Sequence, residues 1–194
     1  MNQVDRKLLH DLGLTRIRQI GIVVKSVSRT VAYYSEALGM GPWFRPKFKD
    51  EEHFLGGERP ARFDLDLAIA FAGNIQYEII EHKGGDRSIY CDFLDAHGEG
   101  IHHLGFYVSD FDARLAACRR AGIGVLQSGT LASGGKSGGT KTKYAYLDTA
   151  GTGGIIFELI ETRFMAMGIQ MSSFWFELGS MMGDVERIRP ERGR

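Results

Sequence analysis

Apolar and polar residues alternate along residues 17–25 and again along 101–108, in segments rich in β-branched side chains, and this pattern predicts a strand at each place. Each segment runs into a polar cap region, Ser26 and Ser28 in one and Ser109 and Asp110 in the other. Small and apolar residues at helical spacing follow, Val31, Ala32 and Ala37 or Leu115 and Ala116, until Gly39 and Gly122 end the predicted helices. Further strands are expected at Trp43–Phe48, Arg62–Ala72 and Ile75–Glu81, and then at Val125–Gly129, Lys141–Asp148 and Ile155–Glu161. Ser88–His97 reads as a linking helix with Ile89, Phe93 and Leu94 inward. The polar stretch Lys47–Gly57 reads as a mobile, solvated loop that carries His53, with Glu51, Glu52 and nearby Glu58 as unassigned acid/base candidates.

The same order, β-α-β-β-β, therefore occurs twice, and the residues repeat with it. Ile17–Gly41 aligns with Ile101–Gly124, so that Gln19 meets His103, Gly21 meets Gly105, Val24 meets Val108 and Ala32 meets Ala116. Ile75–Glu81 matches Ile155–Glu161, with Glu78 on Glu158. The expected fold is α+β, built of two tandem βαβββ modules over residues 16–98 and 99–162. An N-terminal arm covers 1–15, and a helical tail covers 163–194, where Met171, Phe174, Trp175, Leu178, Met181, Met182 and Val185 recur at helical spacing. The tail is expected to pack on the chain's own sheet or a second subunit, or to act as a lid over an apolar substrate.

Strand alternation places residues of equal parity on one face. Ile20, Ile22 and Val24 are expected to pack on the first module's helix, which turns Gln19 and Gly21 the other way; Leu104, Phe106 and Val108 do the same for His103 and Gly105. Gln19, Glu78, His103 and Glu158 are then one polar side chain on each of four strands of a shared concave face. Two carboxylates, an imidazole and an amide buried together call for a compensating charge, which a divalent cation supplies. One nitrogen with several oxygens suits zinc, nickel, cobalt, manganese or iron better than calcium. His102, of opposite parity, is expected to pack beneath the helix with a satisfied ring nitrogen. The glycine-rich SGGKSGG (Ser133–Gly139) misses phosphate-loop spacing and reads as a flexible connection at the cavity rim, with Lys136, Lys141 and Lys143 as weak phosphate contacts.

These residues carry a resemblance to the vicinal oxygen chelate superfamily, the glyoxalase/bleomycin-resistance/dioxygenase proteins. It rests on GIHHLGFYVSDFDA (Gly100–Ala113), VAYYSEALGM (Val31–Met40) and the paired endings YEIIE and FELIE, and spans about residues 15–162. The resemblance implies two modules packed edge to edge into an open, cupped mixed sheet, with metal ligands on the first and last strand of each: Gln19, Glu78, His103 and Glu158. One histidine among these positions argues against an iron extradiol dioxygenase, which uses two. A full ligand set argues against the metal-free drug-binding members. The ligand types look like glyoxalase I, while the text around His103 looks like methylmalonyl-CoA epimerase.

Both relatives stabilise an enediolate on a divalent metal (zinc, nickel, cobalt or manganese) while a proton moves next to a carbonyl. The expected activity is a metal-dependent isomerase or epimerase with Glu158 as principal base and Glu78 as its counterpart. The alternatives are a glyoxalase-I-like lactoylglutathione lyase and a metal-free small-molecule binding protein. The expected substrate is a small carbonyl compound, a thioester or an apolar molecule, and a homodimer is expected. Composition narrows the partners further: 24 Lys+Arg against 24 Asp+Glu give no net charge, which argues against nucleic acid. No apolar run of membrane-spanning length and no leader pattern in Met1–Leu14 are seen, so neither a membrane nor export is expected. Two unpaired-looking cysteines, Cys91 and Cys118, suit a reducing, cytoplasmic location.

Overall fold

The computed structural model describes residues 14–134, 139–165 and 167–189. In chain order the strands of the first half are β1 (Gln19–Val23), β2 (Trp43–Pro46), β3 (Phe48–Leu55), β4 (Arg59–Ala61), β5 (Phe63–Ala72) and β6 (Ile75–Gly85). Those of the second half are β7 (Gly100–Tyr107), β8 (Val125–Ser133), β9 (Thr140–Leu147), β10 (Ile156–Phe164), β11 (Met167–Ile169) and β12 (Val185–Ile188). The helices are α1 (Val27–Leu38), α2 (Ile89–His97), α3 (Phe111–Arg120) and α4 (Ser173–Met182). Ser26 caps α1 by accepting a hydrogen bond from the Arg29 amide at 3.3 Å. Gly39 ends that helix at φ 66°, a conformation a side chain would disfavour. Asp112 in the first turn of α3 and Arg119 and Arg120 in its last complement the helix dipole.

Hydrogen bonds join the strands in the order β12-β2-β5-β6-β1-β7-β10-β9-β8-β3-β4, and β11 pairs with β10. At the centre β1 and β7 run antiparallel, and each lies parallel to the last strand of its own module, β6 and β10. The register repeats the sequence repeat. Gln19 pairs with Gly105 and His103 with Gly21, while Glu78 lies beside Gly21 and Glu158 beside Gly105. Helix α1 covers the outer face of the first module through Val27 and Val31 on Ile22, Val24, Ala68 and Ile79. Helix α3 covers the second through Phe111, Leu115 and Cys118 on Ala145, Leu147 and Leu159. The sheet curls until its far strand β4 runs through Arg62 directly into β5, where Arg62 and Asp86 hydrogen-bond to each other. The result is the expected cupped sheet.

Two segments differ from the sequence reading. Lys47–Gly57 is no loop: residues 48–55 form β3, which pairs with β8 of the other module from Phe48↔Ser133 to Leu55↔Gln127. Its polar character reflects the four consecutive exposed residues Lys49–Glu52, in a strand held by backbone bonds to a partner far away in sequence. Among the described residues the tail is helical only in α4, where Phe176 packs on Phe44 and Ile69; β12 then adds an edge to the sheet beside β2. Phe174 is exposed and Trp175 rests on Phe164, so the three successive aromatics divide among three surroundings. The N-terminal arm lies outside the described residues apart from Leu14 and Thr15, as do residues 135–138, Lys136 among them, and the end of the tail from 190. Cys91 and Cys118 stand on α2 and α3 as free thiols. Among the described residues no helix is long and apolar enough to cross a membrane.

Candidate functional site

Gln19, Glu78, His103 and Glu158 come together within one chain, on the concave side of β1, β6, β7 and β10. The arrangement depends on the two central glycines. A Cβ on Gly21 would stand 1.8 Å from His103 Cε1, and one on Gly105 would stand 2.5 Å from Gln19 Oε1. Each glycine thus admits the polar side chain of the strand opposite, and the two-fold relation of the modules makes this happen twice. His103 is fully buried, with Nε2 3.2 Å from Glu158 Oε2 and 3.7 Å from Glu78 Oε2. Gln19 Oε1, His103 Nε2 and Glu158 Oε2 are buried and lack a well-aligned hydrogen-bond partner, as does Oε1 of Gln76, the next residue along the β6 face.

The electrostatics follow from burial. Desolvation, then the charge of Glu158, raises the Glu78 carboxyl to about 7, against a smaller opposing effect of His103. Burial works against charge on His103, yet Glu158 and Glu78 outweigh it and raise its pKa. The cluster therefore retains a proton near neutrality. His103 Nε2 stands within 3.7 Å of both carboxylates, and among the described residues no three His, Cys, Asp or Glu side chains are arranged as they stand to hold a metal ion. The donor set nevertheless fits a divalent cation: one imidazole, two carboxylates and an amide, three of them with buried atoms left unsatisfied.

His102 departs from its expected place. The β1–β7 register shifts between Gly21 and Ile22, a bulge that sets His102 beside His103. Its ring lies against Tyr90 and Phe93 of α2, its Nδ1 is 3.0 Å from His103 Nδ1, and its Nε2 is without a partner. Burial, and then His103, lower its pKa to about 2, so the ring is neutral.

Sequence reasoning missed the polar aromatic wall of the cup. Tyr144 and Tyr146 point inward from β9, opposite Ile160 and Glu158 respectively. Tyr90 and Tyr146 hydroxyls are 3.0 Å apart, and Gln127 Nε2 reaches the hydroxyls of Tyr90 and Tyr144 at 3.4 Å. His53, expected in a solvated loop, is buried with Nδ1 2.7 Å from Tyr144 Oη and its ring stacked on Phe63. The alternation of Tyr144 and Tyr146 is the one local signal for two of these residues; the others require the strand pairing. Lys143, in contrast, faces outward and pairs with Asp112 on α3.

These groups line a cavity of about 120 Å³. Gln19, Gln76, Glu78 and Glu158 form its polar end, while Leu65, Leu67 and Ile69 with Met171, Phe176 and Val185 of the tail form an apolar one. The tail, packed on the chain's own sheet, thus walls one side of the cup.

Comparison with known proteins agrees with this architecture. A Bacillus subtilis protein, the uncharacterized YqjC, is 24% identical over 150 residues, covering 77% of this chain and 94% of its own. The structure of a hypothetical protein from Bacillus halodurans superposes with a TM-score of 0.52 at 20% identity, over 81% of this chain and 97% of that one. A variant of Streptomyces coelicolor methylmalonyl-CoA epimerase in complex with 2-nitronate-propionyl-CoA gives 0.51 at 24% identity, over 76% and 94%. A methylmalonyl-CoA epimerase in complex with methylmalonyl-CoA and NH4+ gives 0.51 at 22% identity, over 76% and 94%. At these identities the likeness speaks for the fold. The sequence pattern of one family matches residues 18–146, and with the cupped sheet it places the chain in the Glyoxalase/Bleomycin resistance protein/Dioxygenase superfamily.

Proposed function

We propose that this protein is a divalent-metal-dependent isomerase or epimerase that moves a proton on the carbon next to a carbonyl. The observation that carries the reading is the buried cluster of Gln19, Glu78, His103 and Glu158, with unsatisfied atoms on three of them. These four residues would hold the ion, of the zinc, nickel, cobalt or manganese kind that mixed nitrogen and oxygen donors favour. When bound, the metal supplies Lewis acidity toward the oxygens of the substrate.

The chain's own residues account for the rest. His103 offers its Nε2 lone pair when Nδ1–H donates to Nδ1 of neutral His102, which fixes the tautomer that a ligand needs. Glu158 accepts the proton from the substrate carbon. Glu78, on β6, is the counterpart for the return of that proton. The cavity admits the reacting end of a small carbonyl compound; the remainder of a thioester would extend through the mouth of the cup. A hemithioacetal lyase would use the same proton transfer and differs in the product it releases.

Elemental mass spectrometry of the purified protein, beside a His103→Ala/Glu158→Ala variant, tests the site. About one ion per chain, lost in the variant, is expected. Deuterium incorporation into methylmalonyl-CoA in heavy water, and thioester absorbance from the methylglyoxal–glutathione hemithioacetal, then separate epimerase from lyase; Glu158→Gln abolishes either. No ion after incubation with zinc, nickel, cobalt and manganese, together with chelator-insensitive binding of apolar compounds, would replace this reading with a binding protein.

A further inference from the structure

A second set of proton-carrying groups lines the same cavity apart from the four ligand positions. Glu51 Oε2 lies 3.1 Å from His53 Nε2, and His53 Nδ1 lies 2.7 Å from the Tyr144 hydroxyl. We propose that Glu51, His53 and Tyr144 form a proton relay from the rim of the cup to its interior, with the Tyr144 hydroxyl as a second proton-transfer group of the site. The proposal rests on the proton-transfer reading above.

The hydrogen-bond inventory sets the direction. A carboxylate only accepts, so the Nε2 that faces Glu51 carries a hydrogen, and in the neutral ring Nδ1 is the acceptor for the Tyr144 O–H. Carboxylate, imidazole and hydroxyl in this order form the arrangement in which a third group orients a base toward the group it serves. Phe63, stacked 4.4 Å from the imidazole, holds the ring in this plane. The His53 side chain is 4% exposed and that of Glu51 37%, so the chain of bonds begins in solvent and ends inside. A His–Tyr pair alone would satisfy two buried groups; its extension to an exposed carboxylate opens it to exchange. At the inner end, Tyr144 pairs across the ladder with Ile160, one same-face position beyond Glu158, and both Tyr144 and Glu158 line the cavity.

In the balanced step, Glu158 takes the proton from the substrate carbon and the C–H pair moves onto the carbonyl oxygen. As that pair returns, Tyr144, in place of Glu78, gives its hydroxyl proton to the carbon. The phenol is reprotonated from Nδ1 of His53, which enters the step as an imidazolium facing Glu51 and leaves it neutral. Around His53, the ionisable groups are Glu51 on its own strand and Tyr144 on β9, while β4, β5 and β8 contribute Ala61, Phe63 and Gly129.

Two measurements on the full chain test the relay. Nitrogen-15 NMR of the histidines should show His53 protonated on Nε2, with the Nδ1–H tautomer gaining population in Glu51→Leu. Deuterium incorporation into methylmalonyl-CoA should fall about 100-fold in kcat for Tyr144→Phe with KM nearly unchanged. In the same assay His53→Gln should lower kcat about as far as Tyr144→Phe does. A His53 protonated on Nδ1, a tautomer indifferent to Glu51→Leu, or wild-type kcat in Tyr144→Phe would overturn the relay. If the wild-type protein exchanges deuterium into neither methylmalonyl-CoA nor the hemithioacetal, the proposed function fails, and the NMR arm decides the hydrogen-bonded relay by itself.

Discussion

Replacing Gly21 with alanine tests the packing on which the candidate site depends. The new Cβ would fall 1.8 Å from Cε1, 2.2 Å from Nε2 and 2.4 Å from Nδ1 of His103. Ordinary contact begins near 3.4 Å, so the imidazole must retreat by about 1.6 Å. It has little room to do so, since it is fully buried with Tyr146 and His102 against it. Overpacking of this kind costs about 2–3 kcal/mol, or a fall in Tm of roughly 5–10 °C for a chain of this size. The displaced ring also leaves Glu158, so metal stoichiometry should fall with stability. Gly84→Ala is the control: its Cβ meets nothing within 4 Å, and Tm should hold or rise slightly. A double-mutant cycle isolates the cause, because Gly21→Ala should add almost nothing once His103→Ala has removed the ring. The assay is thermal unfolding of the four proteins of the cycle with elemental analysis of each. Wild-type Tm and metal content in Gly21→Ala, or full additivity in the cycle, would refute the account in which His103 lies across Gly21.

Three further outcomes are expected. His102→Ala should weaken metal binding about 10–100-fold in a competition titration, because His103 loses the acceptor that sets its tautomer. Phe176→Ala should cost about 3–5 kcal/mol in denaturant unfolding, since it empties the cluster shared with Phe44 and Ile69 that fixes the tail to the cup. Metal-free protein should lose stability as pH rises from about 6.5 to 8, above the range in which His102, lowered to about 2, works the other way. Glu78 is raised from an ordinary 4.5 to about 7 and His103 is raised too, so both groups bind more protons folded than unfolded in that window. Glu78→Gln should flatten the dependence seen in thermal scans, and bound metal should reverse it by requiring the carboxylate.

The four site positions are legible in the amino-acid sequence because two independent regularities coincide on them. Strand parity gives the face, and the module repeat maps Gln19 onto His103 and Glu78 onto Glu158. Parity, however, identifies the face and not the neighbour. That His103 crosses Gly21 and Gln19 crosses Gly105 follows only from the antiparallel pairing of β1 with β7, a contact between modules. The same limit explains the residues that local pattern misplaces. A single register shift moves His102 beside His103 against its parity. His53 reads as solvated because Lys49, Asp50, Glu51 and Glu52 precede it in sequence, whereas in space it faces Phe63 and Tyr144. β3 has too few apolar residues to announce itself, and its stability comes from the ladder with β8. What local pattern cannot supply is therefore long-range pairing, and in this fold pairing decides which acid stands beside which base. The four repeated site positions tolerate that gap because symmetry supplies the partner. The Glu51–His53–Tyr144 set has no counterpart in the repeat, so it emerges only once β3 is seen to cross from one module to the other.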